Sequence, residues 1–113
     1  MEQIVVDSSI IVASFLESED SHQRGLEYIN SLENGDYILH LPVIVVVEVT
    51  AAIRRRALGS WQTFLSVWKQ NIMDWERDGK VVLYPLDRDR MDRAVNAAQR
   101  HRLRGADAVI VAL

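Results

Sequence analysis

Apolar positions along the chain fall into two alternating patterns: short β-branched runs and longer stripes at helical spacing. The first run is Ile4-Val5-Val6, which leads directly into Asp7-Ser8-Ser9. An uninterrupted apolar run of this kind reads as a strand buried on both faces, as in parallel sheets, and it predicts a strand over residues 3–6. Ile10, Ile11, Val12, Ala13, Phe15 and Leu16 follow at once and start a helix. Asp20-Ser21-His22-Gln23 has the form of a capping box and opens a second helix to about residue 32, with Leu26, Ile29 and Leu32 inward. Asn34-Gly35-Asp36 is a turn signal. Tyr37-Ile38-Leu39-His40-Leu41 is a second strand, stopped by Pro42.

The next stretch carries two signals. Val43-Ile44-Val45-Val46-Val47-Glu48-Val49 has strand propensity, but Pro42 suits the first turn of a helix, and the residues from Thr50 to Leu58 read helical up to Gly59. One helix over about 43–58 is expected, with tertiary packing overriding local propensity. Ser60 is placed to cap a further helix, in which Trp61, Phe64, Leu65, Trp68, Ile72 and Trp75 form one stripe. That stripe reads as core or subunit interface rather than a ligand wall. Asp78-Gly79 is a turn, and Val81-Val82-Leu83-Tyr84 is a third strand ended by Pro85. Asp87 caps a helix with Met91, Ala94, Val95 and Ala98 on its apolar face and Arg90, Arg93 and Arg100 facing away. Arg104-Gly105 breaks it, and the residues from Ala106 start a last helix. Strands alternating with helix pairs imply an α/β fold with a parallel sheet and right-handed crossovers.

Composition narrows this little. The chain has 113 residues, 49% hydrophobic and 26% charged, as expected of one globular domain with a sizeable core. No apolar run approaches the roughly 18 residues of a membrane-spanning helix, and no basic region precedes the first apolar run as a signal peptide requires. The absence of cysteine excludes disulfides and thiolate metal sites and fits a cytoplasmic protein. A net charge of -3 gives no general attraction to nucleic acid. Its distribution is uneven: residues 1–36 hold eight acids and only Arg24, whereas residues 88–104 hold six arginines against Asp89 and Asp92. Arginine forks match phosphate and carboxylate, although solvated helix faces also collect arginine.

Three acids stand out. Asp7 ends the first strand, where open parallel sheets bind ligands; such a residue also serves as a plain helix cap. Glu48 lies about two turns into the helix after the second strand, on an otherwise apolar face. Asp107 opens the last helix within Gly105-Ala106-Asp107-Ala108-Val109. A lone carboxylate among valines is costly to bury, and a cluster of them becomes tolerable around a divalent cation. Oxygen-only ligands favour Mg²⁺, with Mn²⁺ as the alternative, and such ions serve phosphodiester hydrolysis. His22, His40 and His101 share no spacing and read as ordinary surface or interface residues.

Val5-Val6-Asp7-Ser8-Ser9, then Leu41-Pro42 with Glu48-Val49 and Ala52, then Arg104-Gly105-Ala106-Asp107-Ala108 with Ala112, resemble the PIN-domain ribonucleases. Within them the closest resemblance is to the VapC-type toxins of toxin–antitoxin pairs. The matching segments are short, but their order and spacing span essentially the whole chain. The resemblance implies a three-layer α/β/α PIN-like fold over residues 1–113, with a central parallel sheet of order 3-2-1-4-5. It implies Mg²⁺-dependent endoribonuclease activity, an RNA substrate, a cognate VapB-like antitoxin and a homodimer. Asp7, Glu48 and Asp107 would form the acidic metal site, supported by Ser9. The antitoxin would cover that site and direct a basic side chain toward Asp7 and Glu48.

The family pattern has a fourth acid on or just after a strand beyond the helix begun by Asp107, and this chain stops at Leu113. The domain is therefore expected to be C-terminally incomplete, with the last strands missing, and the working protein to continue by about 15–25 residues, roughly the rest of a helix and one or two short strands. Other functions compete with the nuclease reading. A non-catalytic PIN-like interaction module would need no metal. A receiver-type phosphoacceptor would want an acid pair after the first strand, where Asp7 stands alone before two serines. A haloacid-dehalogenase-type phosphatase would want an acid at position 9, which is a serine.

Overall fold

The computed structural model describes residues 2–6 and 8–101. Along them run β1 (Glu2–Val5), α1 (Ser8–Phe15), α2 (His22–Glu33), β2 (Tyr37–Pro42), α3 (Val43–Arg56), α4 (Trp61–Arg77), β3 (Val81–Tyr84) and α5 (Arg88–His101). The fold is α/β, and its three described strands form one parallel sheet in the order β1-β2-β3, with β2 between the other two. Ile4 registers with Leu39 and Leu39 with Val81. The other positions of the expected order 3-2-1-4-5, and the last helix expected from Ala106, lie outside the described residues.

Alternation along β2 separates two sheet faces. Tyr37, Leu39 and Leu41 are buried while Ile38 and His40 are half-buried. The Leu39 side, with Ile4, Val81 and Leu83, is covered by α1 to α4 and forms the main core with Ile11, Leu32, Val45, Val49, Ile53 and Trp68. On the other face a polar ladder crosses all three strands. Tyr84 Oη donates to His40 Nδ1 at 2.6 Å, and His40 Nε2 donates to Gln3 Oε1 at 2.5 Å. The Arg90 guanidinium of α5 lies 4.8 Å over the Tyr84 ring, so α5 begins the layer on this face. β1 is not buried on both faces as its apolar run predicts. Val5 is 41% exposed, because among the described residues β1 pairs only with β2 and its second face is only lightly covered.

The valine run after Pro42 is helical. Val45, Val49, Ala52 and Ile53 recur at helical spacing and are buried, so the gain from seating four residues on the sheet outweighs a β-propensity that spans only about 1 kcal/mol. The tryptophan stripe is core: Trp68 and Trp75 are buried, with ring centroids 6.3 Å apart, and Trp61, Phe64, Leu65 and Ile72 pack beside them.

Helix starts follow the sequence less closely. Asp87 caps α5 as expected, its Oδ1 accepting from Arg90 N at 2.8 Å. Ser21 and Ser60 make no side-chain cap bond. Their ψ angles, 14° and 7°, lie far from the extended values that bring a capping hydroxyl over the first turn. The entry to α2 is fixed instead by His22, whose Nδ1 donates to the Ala13 carbonyl at 2.6 Å.

α1 and α2 cross at very short range. A Cβ on Gly25 would lie 2.6 Å from Ser14 N and 2.8 Å from Ile10 O, so only glycine permits the contact. Gly35 (φ 80°) and Gly79 (φ 74°) take the left-handed conformation just after α2 and α4, where the turn signals placed them.

Candidate active-site cleft

α3 is built from two adjoining stripes. Val45, Val49 and Ile53 point into the core and fix the helix on the sheet. Glu48, Ala51, Ala52 and Arg55 follow the i, i+3, i+4, i+7 rule along the neighbouring stripe. That second stripe faces the amino end of α1, and the two enclose a cleft of about 360 Å³. Ser8 and Ser9 line it from α1, Val12 and Ala52 form its apolar wall, and Glu48, Arg55 and Arg56 supply its charge. The small side chains of Ala51 and Ala52 leave room between the helices. Since α1 begins just beyond β1, the cleft opens at the carboxyl end of the parallel strands, where such sheets hold their ligands.

Glu48 is half-buried in this cleft. None of the ion pairs among the described residues involves it. A half-buried carboxylate held in no ion pair is open to a positive ligand. The sequence-predicted supporting residue Ser9 lies in the same cleft, as does Ser8. Asp7 and Asp107, the other two expected acids, lie outside the described residues. Among the described residues no three His, Cys, Asp or Glu side chains come together. The donors present suit a divalent cation: a carboxylate and two hydroxyls are oxygen ligands of the kind Mg²⁺ and Mn²⁺ prefer.

The three consecutive arginines at the end of α3 have separate surroundings. Arg54 does not line the cleft, and its guanidinium sits 4.1 Å over the Trp61 ring. Arg56 Nη1 lies 3.1 Å from Glu19 Oε1. Arg55 is exposed on the Glu48 stripe, and none of the ion pairs among the described residues uses it. The signal in the sequence that separates the three is the seven-residue interval from Glu48 to Arg55.

Elsewhere the charge is spent within single elements. On α5, Arg88, Arg90 and Arg93 pair with Asp92, Asp87 and Asp89 at 3.4, 2.9 and 2.6 Å. A second cleft of about 360 Å³ lies at the amino end of β2, lined by Arg24, Glu27, Tyr28 and Asp36. Beside it burial, with Tyr28 and Asp36 nearby, pushes the Tyr37 hydroxyl well above the usual tyrosine range. It therefore stays protonated and donates to the Tyr28 carbonyl at 2.5 Å. His22 and His40 serve structural bonds in different places and form no common site. No helix among the described residues is long and apolar enough to cross a membrane.

The fold is a parallel α/β fold with a half-buried carboxylate, in no ion pair among the described residues, at the carboxyl end of its strands, where such sheets hold ligands. The PIN domain family model matches residues 4–113, and the chain belongs to that family. PIN domains are generally nucleases and typically bind divalent metals. No curated protein matches the chain.

Proposed function

We propose that the protein is a Mg²⁺-dependent endoribonuclease, the toxin component of a toxin–antitoxin pair, and that the cleft between α1 and α3 is its active site. The observation that carries this reading is Glu48: a half-buried carboxylate, without an ion-pair partner among the described residues, in a hydroxyl-lined cleft of a PIN-family chain. Asp7 immediately precedes Ser8 in the chain, and Asp107 is the third acid of the proposed metal site. When bound there, Mg²⁺ supplies Lewis acidity, polarising a phosphoryl oxygen and acidifying water. Glu48 supplies negative charge from one wall, and Ser9 lines the cleft opposite it as the supporting polar residue. Val12 and Ala52 restrict water on the apolar side, which strengthens electrostatic contacts at the phosphate.

A protein partner is part of the same proposal. An apolar groove of about 580 Å³ runs between the α1–α2 junction and α4, lined by Phe15, Leu16, Leu26, Phe64 and Val67. It supports docking of a VapB-like antitoxin segment, from which a basic side chain would reach toward Asp7 and Glu48 in place of the cation. A second copy of the chain, giving a homodimer, completes the proposed assembly. The test is cleavage of labelled RNA by the purified protein in Mg²⁺, Mn²⁺ and EDTA. Cleavage in the two metals and none in EDTA is expected. Cleavage unaffected by EDTA would remove the metal from the reading, and no cleavage under any of these conditions would remove the nuclease.

A further inference from the structure

α3 carries more than the acid. Glu48 and Arg55 share one stripe, two turns or about 10.5 Å apart along the axis, and both line the cleft. Side chains on a helix lean toward its amino end, so Arg55 leans back along the stripe in the direction of Glu48. Its two neighbours are engaged, Arg54 on Trp61 and Arg56, which also lines the cleft, with Glu19. Being last-turn residues, all three complement the helix dipole, so the dipole does not distinguish them. Position on the stripe does.

We propose that Arg55 holds a backbone phosphate of single-stranded RNA in the Glu48 cleft, and so sets where the chain lies relative to the acids. This rests on the nuclease reading of that cleft. A single strand is favoured over an acidic peptide because the cleft places an anion-binding fork beside a carboxylate. A diester backbone meets both demands without metal, offering phosphate to Arg55 and ribose hydroxyl donors to the Glu48 carboxylate, donors that the side chains of an acidic peptide lack. Arg55 is thus a positioning residue, with no part in bond breaking.

The experiment is fluorescence anisotropy with a labelled 12-nucleotide single-stranded RNA of mixed sequence, in EDTA, over a series of salt concentrations. The wild type is compared with Arg54→Ala, Arg55→Ala and Arg55→Lys. Arg55→Ala should weaken binding by about tenfold at low salt and lower the slope of log affinity against log salt by about 0.7, the loss of one phosphate contact on a single strand. Arg55→Lys should recover at least half of the slope, since the charge remains. Arg54→Ala, outside the cleft lining, should change affinity less than threefold. An Arg55→Ala affinity and slope equal to wild type would overturn the proposal, as would an equal loss in Arg54→Ala or no binding by the wild type. A loss confined to a glutamate oligomer of equal charge would assign Arg55 to an acidic peptide and overturn it as well. Since the readout is binding without metal, a failure to cleave would count against the nuclease alone and leave the Arg55 result standing or falling by itself.

Discussion

α3 and α5 are both helices of 14 residues that carry arginine, and they use it in opposite ways. On α5 Arg88, Arg90 and Arg93 stand at i+3 and i+4 intervals from aspartates and pair with them along the helix surface, whereas Arg100 enters none of the ion pairs among the described residues. On α3 no acid stands within pairing distance along the helix, so each arginine finds a partner by tertiary position or, in the case of Arg55, lines a cleft. The two helices differ in the same way in their apolar faces. Val45, Val49 and Ile53 of α3 are fully buried. On α5 only Ala94 is buried, and Val95 is 50% exposed. Arginine count along the sequence points to 88–101 as the richer surface, whereas the arginine that shares a cleft with a carboxylate, in no ion pair among the described residues, lies on α3. A charge run informs about a partner only after the pairs within its own element are removed.

The largest expected effect is on the acid. Glu48→Gln should lower metal-dependent RNA cleavage by about 10²–10³-fold, the usual loss when a fixed electrostatic group is removed from an active site. Asp89→Asn on α5 should leave the rate within about twofold. A rate assay of the two variants side by side breaks the comparison if they lose equally. In EDTA the thermal melt of Glu48→Gln should match or exceed that of the wild type, because the substitution removes an uncompensated carboxylate.

Next is packing. Ile53→Ala on α3 should cost about 2–5 kcal/mol, for its side chain is fully buried. Val95→Ala on α5 should stay within about 0.5 kcal/mol, as an exposed substitution does. Urea midpoints at constant slope measure both, and similar shifts for the two would mean that α5 is part of the main core. Gly25→Ala should follow at about 1–3 kcal/mol, since the added methyl meets backbone atoms of α1 rather than a movable side chain. It also displaces the helix that forms one wall of the cleft, so RNA cleavage should fall with it. Unchanged cleavage would separate the α1–α2 contact from the site.

The smallest expected effect belongs to the α5 pairs. Arg88→Ala removes a pair at 3.4 Å whose side chains are 85% and 59% exposed, and it should cost no more than about 0.5 kcal/mol. A larger loss in the same urea titration would show that α5 draws more from its charges than an exposed helix does.

Much of this architecture is legible in the residues. The helical stripes of α3 and α4, the turns at Gly35 and Gly79 and the parallel α/β order all follow from periodicity, because period and burial are local properties of an element once it has a neighbour. Even the valine-rich start of α3 was legible from Pro42 before it and the small and charged residues after it. Three features were not. Ser21 and Ser60 have cap-forming side chains, but the backbone entering each helix is set by tertiary contacts such as His22 to Ala13. The exposure of Val5 depends on which strands flank β1. The division among Arg54, Arg55 and Arg56 depends on Trp61 and Glu19, which approach from other elements. Of the candidate site, Glu48 and Ser9 were found in the sequence and share a cleft, whereas Asp7 and Asp107 lie outside the described residues.

The most direct test of the account is where a divalent cation binds. Mn²⁺ titrated into isotope-labelled protein broadens amide resonances near its site. The account predicts that Ser8, Ser9, Glu48 and Ala52 broaden first, that Glu48→Gln weakens the effect at least tenfold, and that the Ala94–Ala98 stretch of α5 is untouched at the same concentration. Broadening centred on the aspartates of α5, or broadening around Ser9 that Glu48→Gln leaves unchanged, would contradict it.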